Sequence, residues 1–178
     1  KRCRLGRKAQ SSLAKIMDSK LISPDKDTTN LFKEELKKFL NSYEPFALDF
    51  YLRKIKETKK YSPIISNFYR DLAEFSIGGK KLRAFFVYLG YLAGGGVDID
   101  KILHISLAFE MTQNFFLIHD DIMDNSDLRR GKPTVHKVYE KKHGRHYGEG
   151  MAITLGDVAA IEAFKIIGDS DFSDKQKV

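Results

Sequence analysis

The chain has 178 residues, 42% of them apolar, with 13 Phe and 8 Tyr against 4 Pro, which excludes a disordered chain and fits one helical domain or part of a larger one. A single cysteine, Cys3, excludes an internal disulfide, and no apolar run approaches the ~18 residues a membrane-spanning helix needs. The net charge of +7 is concentrated in the first twenty residues, which hold seven bases and one acid; the other 158 carry a net +1, which argues against a nucleic-acid binder.

Residues 1–20 read as a basic flexible arm or leader, with Met17 as an alternative start. Deleting the arm should abolish any RNA or anionic-membrane binding. No secretory apolar stretch is visible, so the expectation is a soluble cytoplasmic protein with no stable membrane insertion.

Asp27, Thr28, Thr29 and Asn30 offer an N-cap cluster ahead of Leu31, Phe32, Leu36, Phe39 and Leu40, which repeat at helical spacing. Pro45 and the polar residues before it predict a break, with a second short helix over 46–58. Pro63 suits the first turn of a helix over 63–75, with Ile64, Ile65, Phe68 and Leu72 inward. After Gly78 and Gly79, the cations Lys80, Lys81 and Arg83 open a buried helix that ends at Gly94-Gly95-Gly96. Cations at a helix N-terminus oppose its dipole, so this turn is either a solvated basic surface or a seat for an anion. No Ser or Thr follows the lysines, which excludes a Walker loop.

A long helix over 98–124, capped by Asp98 or Asp100, is apolar on nearly every side and is expected to be buried all round. Glu110, Thr112, Gln113 and Asn114 lie within it, and buried polar groups need partners, so they either bond to neighbouring helices or line a polar cavity. The helix runs out into Asp120, Asp121 and Asp124, with Asp127 and the pair Arg129-Arg130 beyond. Asp120 and Asp124 are one turn apart on one face, where two carboxylates suit a hard cation such as Mg²⁺. Acids at a helix C-terminus oppose the dipole too, so a cation is expected there. One end wants a metal and the other an anion, and a metal-bound diphosphate meets both needs.

A short helix over 134–142, a turn over 143–150 and a helix over 151–167 follow, with Asp157 as the acid after Gly156. His143 and His146 lack the Cys or carboxylate company of a transition-metal site. Residues 170–174 look like the cap of a helix that never arrives. No segment alternates with period two, so essentially no sheet is predicted.

Four of these motifs together (Gly78-Gly79-Lys80-Lys81-Leu82-Arg83, Asp120-Asp121-Ile122-Met123-Asp124, Arg129-Arg130-Gly131-Lys132-Pro133-Thr134 and Gly156-Asp157) resemble the trans-polyprenyl diphosphate synthases, in the family's order and spacing. The resemblance implies an all-α, isoprenoid-synthase-like antiparallel helix bundle around a central cavity, incomplete here, and a homodimer. It implies prenyl transfer from an allylic diphosphate to isopentenyl diphosphate, giving farnesyl or geranylgeranyl diphosphate. By the resemblance Asp120 and Asp124 would ligate Mg²⁺ with Asp121 in support. Arg129 would grip the allylic diphosphate, while Lys80, Arg83, Arg130 and Gln113 would bind isopentenyl diphosphate. Phe115 and Phe116, just below Asp120, would floor the pocket and hold the product to fifteen carbons, with twenty as the second choice. The family's second Asp-rich motif is missing, since Asp169, Asp171 and Asp174 come too early. Residues 21–178 are therefore expected to be the N-terminal part of a longer synthase domain. A non-catalytic subunit of a heteromeric synthase and a class I terpene cyclase are the alternatives. The cyclase has no need of the second diphosphate site that Lys80, Arg83 and Arg130 would form.

Overall fold

The computed structural model describes residues 26–177, so the basic arm, Met17 and the boundary expected at residue 20 lie outside the described residues. Packing divides the chain into Lys1–Lys38 and Phe39–Val178. The described part of the first unit is helical and carries a surface ion pair, Lys38 Nζ to Glu35 Oε1 at 2.6 Å.

The first helix, α1 (Lys26–Lys59), runs straight through Pro45, so the predicted break does not occur, and Asp27 stands in its first turn rather than before it. Proline forfeits a bond to the carbonyl four residues back. That carbonyl belongs to Asn41, which is exposed like Pro45 itself, so water can take the lost bond. On the opposite side Phe39, Tyr43, Phe50 and Tyr51 are buried and carry the helix past the proline. Each such side chain contributes roughly 1.5–3 kcal/mol.

α2 (Pro63–Ser76) starts where Pro63 predicts, with the Ser62 hydroxyl accepting from the Ile64 amide. Its inward face is turned from the expected one. Phe68 and Leu72 are buried, but Ile64 and Ile65 are exposed, and Ser66 and Tyr69 take their places. Polar anchors select this face: Ser66 Oγ donates to the Ile55 carbonyl and the Tyr69 hydroxyl to Glu162.

α3 (Leu82–Ala93) buries only Ala84 and Phe85 and ends at Gly94. α4 (Ile99–Met123) has Asp98 as its N-cap, the Asp98 side chain accepting from the Lys101 amide, and Asp124 as its C-cap. α5 (Val135–His143) is followed by α6 (Arg145–Gly168), with Gly144 alone between them rather than the turn expected over 143–150. Gly148 lies inside α6, and α5 packs so closely there that a Cβ would overlap the His136 carbonyl and the Glu140 backbone. A four-residue helix, α7 (Asp174–Lys177), does follow residues 170–173, contrary to expectation.

α4 and α6 are antiparallel, since His119 meets Ile153 at one end and Lys101 meets the Asp171 carbonyl at the other. Ala152, Leu155, Gly156, Ala159 and Ala163 form the buried stripe of α6, small enough to let α4 approach closely. Contrary to the expectation of burial all round, α4 exposes Phe109 (46%) and Phe116 (53%) on one stripe with Gln113 and Asp120, because no described element covers that side. The only strands among the described residues are β1 (Leu128–Arg129) and β2 (Lys132–Pro133), an antiparallel pair of two residues each.

Candidate functional site

Two loops next to α4 hold the charged motifs. At its C-terminal end the three carboxylates differ sharply. Asp121 is buried at 2% exposure and takes a bidentate bond from Arg129, Nε to Oδ2 and Nη2 to Oδ1, both 2.8 Å. This bond is the main reason the Arg129 guanidinium is held above its ordinary pKa. Asp120 is half-buried and Asp124 exposed, and neither forms an ion pair among the described residues. Asp124 follows Asp120 by one turn, its amide donating to the Asp120 carbonyl at 2.8 Å.

The hairpin is what delivers Arg129. Leu128 pairs with Pro133 and Arg129 with Lys132, leaving Arg130-Gly131 as a two-residue turn with both φ positive, 52° and 75°. The buried Thr134 fastens its exit, the hydroxyl donating to the Ser126 carbonyl at 2.8 Å and the amide to the Asp127 carbonyl at 3.0 Å. Arg130 is a strained left-handed residue, and its guanidinium lies on the glycine loop. A Cβ at Gly79 would stand 3.0 Å from its Nη2, and φ +77° also demands glycine there. The structure thus joins two motifs that are about fifty residues apart in sequence.

The glycine loop has its own division of labour. Lys81, left-handed at φ 50°, turns inward; its ammonium donates to the Ser76 carbonyl and stands 3.4 Å from Glu110 Oε2. Lys80 and Arg83 are exposed, and neither has a charged partner among the described residues. The polar residues of α4 divide between the two expected roles. Glu110 and Asn114 bond to neighbours, Asn114 Nδ2 donating to Ser76 Oγ at 2.6 Å, while Thr112 bonds its own helix at Ala108. The Tyr51 hydroxyl completes this network at 2.8 Å from Ser76 Oγ, and burial pushes it up to about 12. Gln113 sits half-buried on the exposed stripe with Asp120.

Sequence reasoning missed His119. Its ring fills a notch at Gly156, where a Cβ would overlap it, and Nε2 lies 3.1 Å from the Ile153 carbonyl and 3.7 Å from Asp157 Oδ1. Phe115 packs edge-on against that ring at 4.6 Å, so it belongs to the support of the acidic end, whereas Phe116 is open. The glycine before Asp157, facing the residue before Asp120, was the available signal.

A cleft of about 470 Å³ lies beside the hairpin, lined by Phe75, Ile77, Gly78, Arg129, Arg130 and Tyr139 among others. The Tyr139 hydroxyl donates to Asp71 at its edge, and burial followed by this bond raises its pKa. No group of three or more His, Cys, Asp or Glu among the described residues could hold a metal. No helix among them is long and apolar enough to cross a membrane.

Residues 63–178 match the polyprenyl synthetase family model. The chain belongs to the polyprenyl synthetase family. A geranylgeranyl pyrophosphate synthase of Geoglobus acetivorans is 33% identical over 147 residues, 82% of this chain and 37% of that protein. A short chain isoprenyl diphosphate synthase of Methanocaldococcus jannaschii is 44% identical over 90 residues, 51% of this chain and 25% of that protein. Among solved structures, the Corynebacterium glutamicum geranylgeranyl pyrophosphate synthase complexed with isoprenyl diphosphate and magnesium matches with TM-score 0.58 and 30% identity, covering 82% of this chain and 42% of that one. This polyprenyl synthetase chain therefore spans a quarter to about two fifths of the length of these relatives. Its all-α architecture agrees with theirs, as the resemblance implied.

Proposed function

We propose that this chain carries part of a short-chain prenyltransferase site, joining isopentenyl diphosphate to an allylic diphosphate. The observation that supports this most is the set of unpaired charges. Asp120 and Asp124, whose charges act on Arg129 from a distance, form no ion pair among the described residues, and neither do Lys80, Arg83 and Arg130. Mg²⁺ commonly binds through one or two carboxylates plus substrate phosphates rather than a closed protein cage. A pair one turn apart fits that habit, and the absence of a three-ligand cluster among the described residues is compatible with it.

In this reading Asp120 and Asp124 would hold Mg²⁺, which when bound would supply positive charge against the negative charge of the allylic diphosphate. Arg129 shares that task through Nη1, its Nε and Nη2 being committed to Asp121. Asp121 supports by aiming Arg129. Lys80, Arg83 and Arg130 hold the second diphosphate, with Gln113 adding a hydrogen bond from α4. The arginines and lysine keep both diphosphates oriented, so that binding energy replaces the entropy of bringing two anions together. A set of cations without carboxylate partners, Lys80, Arg83 and Arg130, in addition to Arg129 at the acidic end favours a transferase over a cyclase, which handles one diphosphate.

Phe116, open and one turn before Asp120, would meet the growing chain and limit it to fifteen carbons; Phe115 would act by buttressing His119. A homodimer working in the cytoplasm completes the proposal. The test is to incubate the native protein with labelled isopentenyl diphosphate, geranyl diphosphate and Mg²⁺. Chromatography after dephosphorylation should show a labelled fifteen-carbon alcohol, lost when the metal is chelated. Absence of any prenyl product from both geranyl and farnesyl diphosphate would overturn the reading.

A further inference from the structure

Adjacent lysines of one loop have opposite fates, and the residue that separates them is Glu110, to which the reading above gives no role. Glu110 is 8% exposed on α4 and faces the start of α3. Its Oε2 is 3.4 Å from the Lys81 ammonium, with both side chains only about a tenth exposed. Its Oε1 lies 3.5 Å from the Ala84 amide, one of the N-terminal donors of α3 that has no partner within its own helix. Ser106, one turn earlier on the same face of α4, donates to the Ala84 carbonyl at 3.2 Å. The N-cap position of α3 is Lys81 itself, which has no capping side chain. The anion expected from the basic first turn is therefore present inside the chain, but of the three cations there it pairs with Lys81 alone.

Lys81 keeps a left-handed backbone that a lysine adopts only when its surroundings over-determine it. The Ser76 carbonyl and Glu110 supply that constraint. With Lys81 drawn inward, Lys80 before it and Arg83 after it are left at the surface, on the loop that the Arg130 guanidinium covers.

We propose that Glu110, acting through Lys81, is a positioning residue for diphosphate binding: it holds the 77–81 loop and the first turn of α3 in the arrangement that presents Lys80 and Arg83. This rests on the reading that those two cations bind diphosphate. A mere counter-charge would act differently, because removing its negative charge would draw an anion in. Loss of a positioning group loosens the loop and weakens binding.

The experiment is calorimetric titration of inorganic pyrophosphate, without metal, into the native protein and its variants. Replacing Lys80 and Arg83 together by Ala should weaken binding at least about tenfold; no change would overturn the loop's assignment, and the proposal with it. Given that loss, Glu110→Gln should weaken binding about tenfold as well, the usual range for a group that orients a ligand-binding residue. Its helix content should stay constant. Unchanged or tighter binding in Glu110→Gln would overturn the positioning role while leaving the diphosphate reading intact. Should that variant not fold, Lys81 gives the answer. Lys81→Arg, which keeps the pair, should bind within about twofold of the parent, and Lys81→Met should lose about tenfold. Lys132→Met removes a nearby exposed cation and serves as the reference. A Lys81→Met loss no greater than that reference would also refute the role.

Discussion

The glycine loop and the acidic end of α4 carry opposite charges and follow one rule. In each, a charge is buried and paired while its sequence neighbour stays free. Lys81 goes to Glu110 and leaves Lys80 outside; Asp121 goes to Arg129 and leaves Asp120 and Asp124 open. The arginine pair repeats the rule, Arg129 inward and Arg130 laid on the glycines. On α4 successive residues point about 100° apart, so fixing Asp121 fixes the direction of Asp120, while in the two loops the left-handed Lys81 and Arg130 turn the chain. The comparison teaches that half of each charged motif holds the fold and aims the other half.

Breaking the comparison at a free member should have the largest effect on chemistry. On the proposed function, Asp124→Asn in the native protein is expected to lower kcat about 10²–10³-fold, read by the product assay, with no loss of thermal stability. Breaking it at a buried partner should move stability as well as chemistry. Arg129→Met leaves the Asp121 carboxylate buried and unpaired, at a cost of about 2–4 kcal/mol measurable by urea unfolding. Gly156→Ala pushes His119 from its notch and should cost about 1–3 kcal/mol, because neither ring nor helix can give way freely. Phe116→Ala should change stability by less than about 0.5 kcal/mol, since the ring is already exposed, yet lengthen the product by at least one isoprene unit. An unchanged product spectrum would sink the pocket-floor idea.

The buried tyrosines sharpen the comparison from the side of pH. Burial pushes Tyr51 up to about 12 from its ordinary value of 10, and it pushes Tyr69 up as well, with the bond to Glu162 adding to the rise. A raised pKa means the fold favours the neutral phenol, so this stability is full below pH 10 and is lost as pH climbs towards 12. The urea midpoint should fall across that window. A flat midpoint would mean that these hydroxyls are not held as described.

The charged motifs, the ends of α4 and the start of α2 were legible from the residues. What stayed hidden was decided by distant partners. Which of two adjacent lysines turns inward depends on Glu110, twenty-nine residues on, and no local pattern contains that. Glu110 and Asn114 were legible as buried polar groups in need of partners, but not the neighbours they meet. The face of α2 was misread because hydroxyl anchors at Ser66 and Tyr69 outweighed two isoleucines. Pro45 was read as a break because periodicity does not show that its lost bond faces water. The open side of α4 was read as buried because an apolar helix reports what it needs, not what covers it.

The most direct test compares Asp120→Asn with Asp121→Asn, neighbours with the same chemistry. Each is measured for melting temperature and for Mg²⁺-dependent binding of geranyl diphosphate. Asp120→Asn is predicted to keep its melting temperature and lose the binding. Asp121→Asn is predicted to melt roughly 4–16 °C lower, from about 2–4 kcal/mol of lost pairing in a domain of this size. An Asp121→Asn variant that melts like the parent, or an Asp120→Asn variant that melts as low as Asp121→Asn was expected to, would contradict the division between paired and free charges.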